Sequence, residues 1–163
     1  MIITVTGHRP PKLGLGYGDT EENRAMVEGM CEALQALPGY KNNELQVISG
    51  MALGVDQLFV QACLALDIPW TAAIPFRGQE SRWPPAAQSE YHHMLTFAVK
   101  VIVVGEKYTN QAFQTRNEWM VDHSELVMAF WDGSPGGTAN CVTYAQTKGV
   151  TVQYYGKRGQ PRA

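Results

Sequence analysis

The sequence predicts an α/β protein with three layers, in which an open, mostly parallel sheet lies between helices on both faces. Short apolar runs alternate with segments of helical periodicity along the chain. The apolar runs are continuous and do not alternate with polar residues, which is typical of parallel strands buried on both faces. Several runs end in glycine-bearing turns that lead into a predicted helix. These observations together favour a doubly covered sheet.

The first strand and helix are marked by clear start and stop signals. Residues 2–6 form the first predicted strand, and Gly7 followed by two prolines turns the chain away from it. Asp19 is the predicted N-cap of the first helix, with Glu22 completing a capping box. The helix carries an apolar face at 3.6-residue spacing and ends before Pro38.

The middle of the chain repeats the unit of strand, turn and helix. Residues 45–49 form the second predicted strand, and a helix follows from Val55. Residues 69–75 form the third strand. A polar loop that contains prolines covers residues 76–87, and a short helix is predicted over residues 88–97.

The last part of the chain adds three strands. Residues 99–104 and 125–131 are continuous apolar runs, and residues 109–123 between them are predicted as loop and helix. A helix over residues 138–148 precedes a last strand over residues 150–154.

The chain is predicted to form one domain over residues 1–156, followed by a flexible basic tail over residues 157–163. The 163 residues suffice for one domain with a real core. We find no internal repeat, low-complexity segment or linker that would divide them.

Composition argues against several classes of partner. The net charge is −2 and the only basic cluster is the tail, so the composition gives no electrostatic sign of nucleic-acid binding, although a local cleft could still be basic. No apolar run reaches the roughly 18 residues of a membrane span, and we expect no signal peptide, because the first residues have neither a basic region nor a cleavage site. The three cysteines are widely spaced and are expected to be reduced in a cytoplasmic protein. We expect neither a bound metal nor a cofactor.

The predicted ligand site lies beyond the carboxyl ends of the strands, near the point where strand order reverses, because ligands bind there in open α/β sheets. Unusual residues follow four of the predicted strands. They are Gly7, His8 and Arg9; Ser49, Gly50, Met51, Ala52, Gly54 and Asp56; Pro75 and Phe76; and Asp132, Gly136, Gly137 and Thr138. The alternative is that these glycines serve packing alone.

Several of these residues suit a phosphate group. Glycines at Gly50 and Gly137 let the backbone approach a ligand closely, and the free amides of a helix start favour an anion. Arg9 offers a planar, permanently charged fork. The hydroxyls of Ser49 and Thr138 can donate hydrogen bonds to phosphate oxygens.

The other candidates suit the rest of a nucleotide. Asp56 and Asp132 could accept from ribose hydroxyls or could cap helix starts, and capping is the simpler use of Asp56. Phe76 or Trp83 could stack on a base, with core or loop packing as the alternative. His8 could be a general base or a hydrogen-bonding residue of the loop.

The order of the turns resembles the YpsA-like branch of the SLOG superfamily, which is named after Smf/DprA and the LOG enzymes. The resemblance covers residues 2 to about 155. It rests on these stretches: Thr6-Gly7-His8-Arg9-Pro10, Ile48-Ser49-Gly50-Met51-Ala52-Leu53-Gly54-Val55-Asp56, Pro75-Phe76 with Gln79 and Trp83, Arg116-Asn117 with Met120-Val121-Asp122, and Trp131-Asp132-Gly133 with Gly136-Gly137-Thr138. Small single-domain versions occur in bacteria and phages. The resemblance implies a Rossmann-like sheet, a nucleotide-type ligand at the glycine turns and a tendency to form homodimers.

The LOG enzymes of this superfamily cleave the base from a nucleoside 5′-monophosphate. Their arginine-lysine pair is similar to the pair Arg116-Asn117, with asparagine in the place of lysine. Their PGGxGT motif is matched by a turn one residue shorter at 135–138, and the glutamate that follows it is absent here. Since glycosidic cleavage uses a carboxylate, this departure counts against the hydrolase activity. Asp132 or Glu118 could substitute, but nothing in the spacing requires it.

Three functions are therefore weighed. The first is a module that binds a nucleotide or nucleotide-derived molecule, such as an ADP-ribose-like or NAD-like signal, as a sensor or a sequestering protein. The second is an N-glycosidase or phosphoribohydrolase of LOG type. The third is DNA handling, by analogy with the DNA-processing relatives, against which the acidic balance of the chain counts.

Overall fold

The computed structural model describes residues 1–163 as seven strands and five α-helices. The strands are β1 (Ile2–Gly7), β2 (Gln46–Ser49), β3 (Trp70–Ile74), β4 (Lys100–Val103), β5 (Leu126–Phe130), β6 (Thr151–Tyr155) and β7 (Pro161–Arg162). The helices are α1 (Glu21–Gln35), α2 (Val55–Ala65), α3 (Pro85–Leu95), α4 (Ala112–Asp122) and α5 (Gly137–Lys148). Short 3-10 turns occur at Lys12–Gly14 and Lys157–Gly159.

The strands form one sheet in the order β4-β3-β2-β1-β5-β6-β7, and every pairing is parallel except that of β6 with β7. After β1, the chain builds β2, β3 and β4 on one side and then crosses to place β5 on the other. The strand order therefore reverses between β1 and β5. The predicted three-layer, Rossmann-like α/β architecture is confirmed.

The two faces of the sheet are covered by different helices. Ile3 and Val5 of β1 belong to a core of 27 buried residues that also includes apolar side chains of α1, α2 and α3. On the opposite face, Val127 of β5 packs with residues of α4 and α5, among them Val121 and Cys141. Because helices cover both faces of the sheet, the side chains on both sides of the central strands are buried. This explains why those strands are continuous apolar runs in the sequence.

Two helix starts differ from the sequence prediction. The N-cap of α1 is Thr20, whose hydroxyl accepts from the Asn23 N–H at 3.1 Å, and the predicted cap Asp19 instead pairs with Arg24 at 2.8 Å. Helix α3 starts three residues earlier than predicted, at Pro85, because proline fits the first turn of a helix, where its missing N–H is not needed. None of the helices has the length and apolar character needed to cross a membrane.

The C-terminal segment differs from the expected flexible tail. Residues 157–159 form a 3-10 turn against α1, and β7 pairs antiparallel with β6. The approach is close because Gly29 of α1 and Gly159 lack side chains: a Cβ at Gly159 would lie 2.8 Å from the Gly29 Cα. Arg158 also reaches Glu22 of α1 at 2.9 Å. This long-range packing has no local sequence signal.

Replacing Gly29 by alanine should destabilise the protein by about 2 kcal/mol, because overpacking a tight contact typically costs 1–3 kcal/mol. The new methyl would press on the Arg158 carbonyl and the Gly159 Cα. Chemical denaturation checks this, with Glu28→Ala, an exposed change on the same helix, as control. A Gly29→Ala variant as stable as the control would show that the C-terminal segment does not depend on this contact.

Candidate functional site

A cleft of about 310 Å³ opens beyond the carboxyl ends of β1 and β5, where the strand order reverses. Its walls come from the loop after β1, the start of α2, helix α4 and the turn into α5. It is lined by Thr6, Gly7, His8, Arg9, Pro10, Pro11, Lys12, Ala52, Asp56, Phe113, Arg116, Asn117, Met120, Ser134, Pro135, Gly136, Gly137 and Thr138. The edge of the sheet predicted from the sequence is therefore the edge that carries the cleft.

The start of α5 faces this cleft without a side-chain cap. Gly136 occupies the N-cap position at φ 140° and ψ −161°, a conformation that favours glycine, and no side chain caps the first turn. A Cβ placed on Gly136 or Gly137 would meet no heavy atom within 4 Å. The backbone amides at the start of this twelve-residue helix are thus open to the cleft, and the positive end of its dipole lies there as well.

Two cations stand on the opposite wall, in the loop after β1. The exposed Arg9 guanidinium lies 5.3 Å from the centre of the Phe113 ring, a geometry suited to cation–π contact. Lys12 Nζ donates to Ser134 Oγ at 2.9 Å and so bridges this loop to the turn before α5. The cleft therefore combines a helix N-terminus with positively charged side chains.

His8 and Asp132 fasten the β1 loop to the β5 turn. His8 Nε2 lies 2.8 Å from Asp132 Oδ1, and this short contact requires the proton on Nε2. With the proton there, the 3.2 Å approach of the Asp132 N–H to Nε2 is a non-bonded contact. Of the two roles considered for His8, the structure shows the hydrogen-bonding loop residue.

The Asp132 carboxylate is held in its charged form. The hydrogen bonds from Ser134, whose N–H lies 2.9 Å from Oδ1, together with the contact from His8, lower the pKa of Asp132 well below its usual range. Charge on this side chain therefore helps to fix the turn that leads to Gly136.

The depressed pKa of Asp132 predicts a pH-dependent stability. A carboxyl with a lowered folded-state pKa contributes stability above its unfolded value of about 3.9 and loses it as the pH falls further. Asp132→Asn should therefore lower the Tm at pH 6. The difference in Tm between the variant and the unaltered protein should become smaller below about pH 4. Calorimetry from pH 6 to 2.5 measures this, and a difference that stays constant over that range would contradict the role of the charge.

Arg116 is largely committed to the fold. It is 3% exposed, and its Nη1 donates to the carbonyl oxygens of Gly50 at 2.7 Å and Ala73 at 3.1 Å, while Nε donates to Asn117 Oδ1 at 3.0 Å. The guanidinium thereby ties the ends of β2 and β3 to α4. A Cβ on Gly50 would lie 2.6 Å from Arg116 Cζ, so Gly50 makes room for this arginine and not for a ligand.

Asp56 and Ser49 hold the turn after β2 in place through hydrogen bonds. Asp56 Oδ2 accepts from the Ala52 N–H at 3.1 Å, and Ser49 Oγ donates to the Asp56 carbonyl at 3.0 Å and accepts from the Met51 N–H at 3.2 Å. Burial raises the pKa of Asp56, and the nearby Arg116 opposes that rise only in part. Gly54 is the N-cap of α2 and no side chain caps this helix, so the predicted capping role of Asp56 is wrong: its carboxylate instead holds the loop before the helix, and the residue also lines the cleft.

Gly7 and Gly54 allow two segments of the chain to pack closely. A Cβ on Gly7 would lie 2.5 Å from the Val55 side chain, and one on Gly54 would lie 2.5 Å from the His8 carbonyl oxygen. The Val55 N–H donates to that same oxygen at 3.1 Å. Gly7, Gly50 and Gly54 therefore serve close packing within the protein, as the alternative interpretation of the glycines proposed.

Other predicted residues lie behind or away from the cleft. Trp83 packs edge-on against Tyr91 with ring centres 5.2 Å apart, and Phe76 packs behind Phe113 at 5.6 Å. Met51 is fully buried in the core, and the Pro75 carbonyl accepts from the Gly105 N–H at 3.0 Å. The stacking roles considered for Phe76 and Trp83 are thus replaced by packing.

The cleft also contains residues that the sequence patterns did not single out, chiefly Lys12, Phe113 and Ser134. Lys12 follows Arg9 by three residues in the same loop, which is a signal that could have been used. Phe113 precedes Arg116 by three residues, one helical turn of α4, and so faces the same side. Ser134 lies inside the glycine-rich turn and lacks a distinguishing pattern.

The fold and the cleft together define a Rossmann-like α/β protein whose cleft at the topological switch point is lined by cationic side chains and a helix N-terminus. The chain belongs to the YspA SLOG family, whose model matches residues 3–156. The resemblance noted from the sequence is thereby confirmed. The SPbeta prophage-derived protein YoqJ of Bacillus subtilis (strain 168) is 36% identical over 126 residues, which span 65% of this chain and 72% of YoqJ.

Three solved structures share the fold. DprA from Helicobacter pylori, described with a single-stranded DNA binding mode, matches with a TM-score of 0.65 and 17% identity, over 95% of this chain and 65% of its own. DprA from Streptococcus pneumoniae matches with a TM-score of 0.62 and 19% identity over 94% of this chain. The match spans about half (49%) of that DprA. The molybdenum cofactor binding protein of Rippkaea orientalis matches with a TM-score of 0.59 and 17% identity, over 96% of this chain and 76% of its own.

These comparisons correct one expectation. Composition argued against nucleic acid as a partner, but proteins with this fold include a DprA described as binding single-stranded DNA. The low net charge also hides a local concentration of cations, because Arg9 and Lys12 line the same cleft. The overall charge of the chain therefore does not exclude nucleic acid as a partner.

Proposed function

We propose that this protein binds a nucleotide or a nucleotide-derived small molecule, as a sensor or a sequestering protein, and that a phosphate of the ligand is held at the start of α5. The observation that carries the proposal is the uncapped first turn at Gly136 and Gly137. It is open to the cleft, because a Cβ at either glycine would have no heavy atom within 4 Å. A helix N-terminus of this kind favours an anion through its free amides and its dipole.

Charge and shape support the same proposal. Arg9 and Lys12 supply cations that can turn toward a phosphate, since Arg9 is exposed and Lys12 is held by a single hydroxyl contact. The cleft has a volume of about 310 Å³, near the lower end for small-molecule sites. This volume accommodates a phosphate with a sugar. The fold also occurs in a molybdenum cofactor binding protein.

A specific pair of carboxyl groups favours the LOG-type phosphoribohydrolase as the second candidate. Asp56 lines the cleft with a raised pKa, while Asp132 beside His8 has a lowered one. Glycoside hydrolysis uses two carboxyl groups, one as acid and one as base, whose environments drive their pKa values apart. Asp56 would serve in place of the glutamate that the chain lacks after Thr138, whereas Asp132 lies in the turn beside the cleft and not in its lining.

One experiment separates these functions. The protein is incubated with a panel of nucleoside mono- and diphosphates, ADP-ribose and NAD, and mass spectrometry then identifies the bound and free small molecules. An intact bound ligand supports the binding proposal. Free base with ribose phosphate supports the hydrolase, and the absence of both binding and turnover would contradict the proposed function. A single-stranded oligonucleotide added as competitor tests whether nucleic acid uses the same cleft.

A further inference from the structure

We infer that the ligand has a second part, a nucleoside, which occupies a separate cavity beside the cleft. This inference rests on the proposed function, because it takes the cleft as the phosphate site. The cavity has a volume of about 640 Å³ and lies between the glycine-rich loop after β1, the outer face of α2 and the start of α3. It is about twice as large as the cleft.

The cavity and the cleft adjoin at Pro10. Pro10 lines both spaces, and Gly54 packs against the backbone of the same loop so closely that a Cβ would lie 2.9 Å from the Arg9 Cα. The start of α2 divides them: Asp56 faces the cleft, while Gln57 and Gln61 face the cavity. A ligand that occupies both spaces must therefore pass over Pro10.

The two spaces differ in chemistry. The cleft contains Arg9 and Lys12, whereas the only cation that lines the cavity, Arg24, is paired with Asp19 at 2.8 Å. The cavity therefore does not favour a second phosphate. It favours a neutral polar group.

The side chains that line the cavity suit a nucleobase. Gln57 and Gln61 are carboxamides one turn apart on α2, and a carboxamide can both donate to and accept from a base edge. Gln57 uses one amide hydrogen on the Met51 carbonyl at 3.2 Å, which fixes its orientation. Tyr17 stands 64% exposed at the rim and offers a ring face for stacking.

The wall that carries Tyr17 is held in place without a ligand. Asn23, 5% exposed, donates from Nδ2 to the carbonyl oxygens of Gly16 at 3.0 Å and Gly18 at 2.8 Å. The loop thus keeps its shape next to α1. A preformed wall lowers the ordering cost of binding.

The test compares ADP, GDP, CDP and UDP with inorganic pyrophosphate by titration calorimetry. At least one nucleoside diphosphate should bind tenfold or more tightly than pyrophosphate. Ala87→Trp, which fills the cavity from α3, should remove that gain and leave pyrophosphate affinity within twofold. Ser89→Trp, an exposed change on the same helix outside the cavity, should keep the gain.

Tyr17→Ala, at an exposed position that does not disturb the core, is the second variant and should reduce the gain several-fold. The inference is overturned if no nucleoside diphosphate binds more tightly than pyrophosphate, or if the gain survives in both Ala87→Trp and Tyr17→Ala. In either case pyrophosphate binding leaves the phosphate site standing. If neither pyrophosphate nor any nucleoside diphosphate binds, the proposed function itself fails.

Discussion

Replacing Gly137 by valine should abolish the thermal stabilisation that a nucleotide gives and weaken its binding at least tenfold, or by about 1.4 kcal/mol. The branched side chain would occupy the space in front of the first amides of α5, where the phosphate is proposed to lie. No heavy atom lies within 4 Å of the Cβ position, so the variant should fold. Thermal shift with and without the ligand identified in the panel measures the loss.

The matched control is Asn140→Val, an exposed change in the same helix that does not line the cleft. It introduces the same β-branched residue and should leave the ligand-induced shift intact. If Gly137→Val keeps the full shift, the turn into α5 is not part of the binding site.

The largest effect on stability is expected from Arg116→Met. Loss of the guanidinium leaves the carbonyl oxygens of Gly50 and Ala73 without that donor and the buried Asp56 without its nearby cation. Removing one partner of a buried, hydrogen-bonded charge costs about 3–5 kcal/mol. For a domain of this size that corresponds to a fall in Tm on the order of 10 °C.

Differential scanning calorimetry without ligand measures this effect, with Lys107→Met as control. Lys107 is an exposed cation, so its replacement should change the free energy of unfolding by less than about 0.5 kcal/mol. A Tm for Arg116→Met within one or two degrees of the control would show that the arginine is not needed by the fold. Its role would then be sought in ligand contact.

The architecture could be predicted from the sequence because its signals are local. Continuous apolar runs give buried parallel strands, and the unusual residues after them fall at one edge of the sheet by the geometry of parallel pairing alone. The turn at Gly136 and Gly137 is predicted on those grounds, and it faces the cleft.

The roles of single glycines could not be predicted in the same way. Whether the space at a glycine is open or filled depends on side chains that are distant in sequence. Arg116 fills it at Gly50 from 66 residues away, and the C-terminal turn meets α1 at Gly29. The same limit applies to Trp83, whose polar neighbours in sequence gave no sign of its packing on Tyr91.

The measurement that tests the central claim most directly is the response of the backbone amides at the start of α5 to a nucleotide. In a 15N-labelled sample titrated with the ligand identified in the panel, the amides of Gly137 and Thr138 should show the largest chemical-shift changes, with smaller changes in the loop of Arg9 and Lys12. Saturable shifts confined to other parts of the sheet, with Gly137 and Thr138 unmoved, would contradict a phosphate site at this helix start.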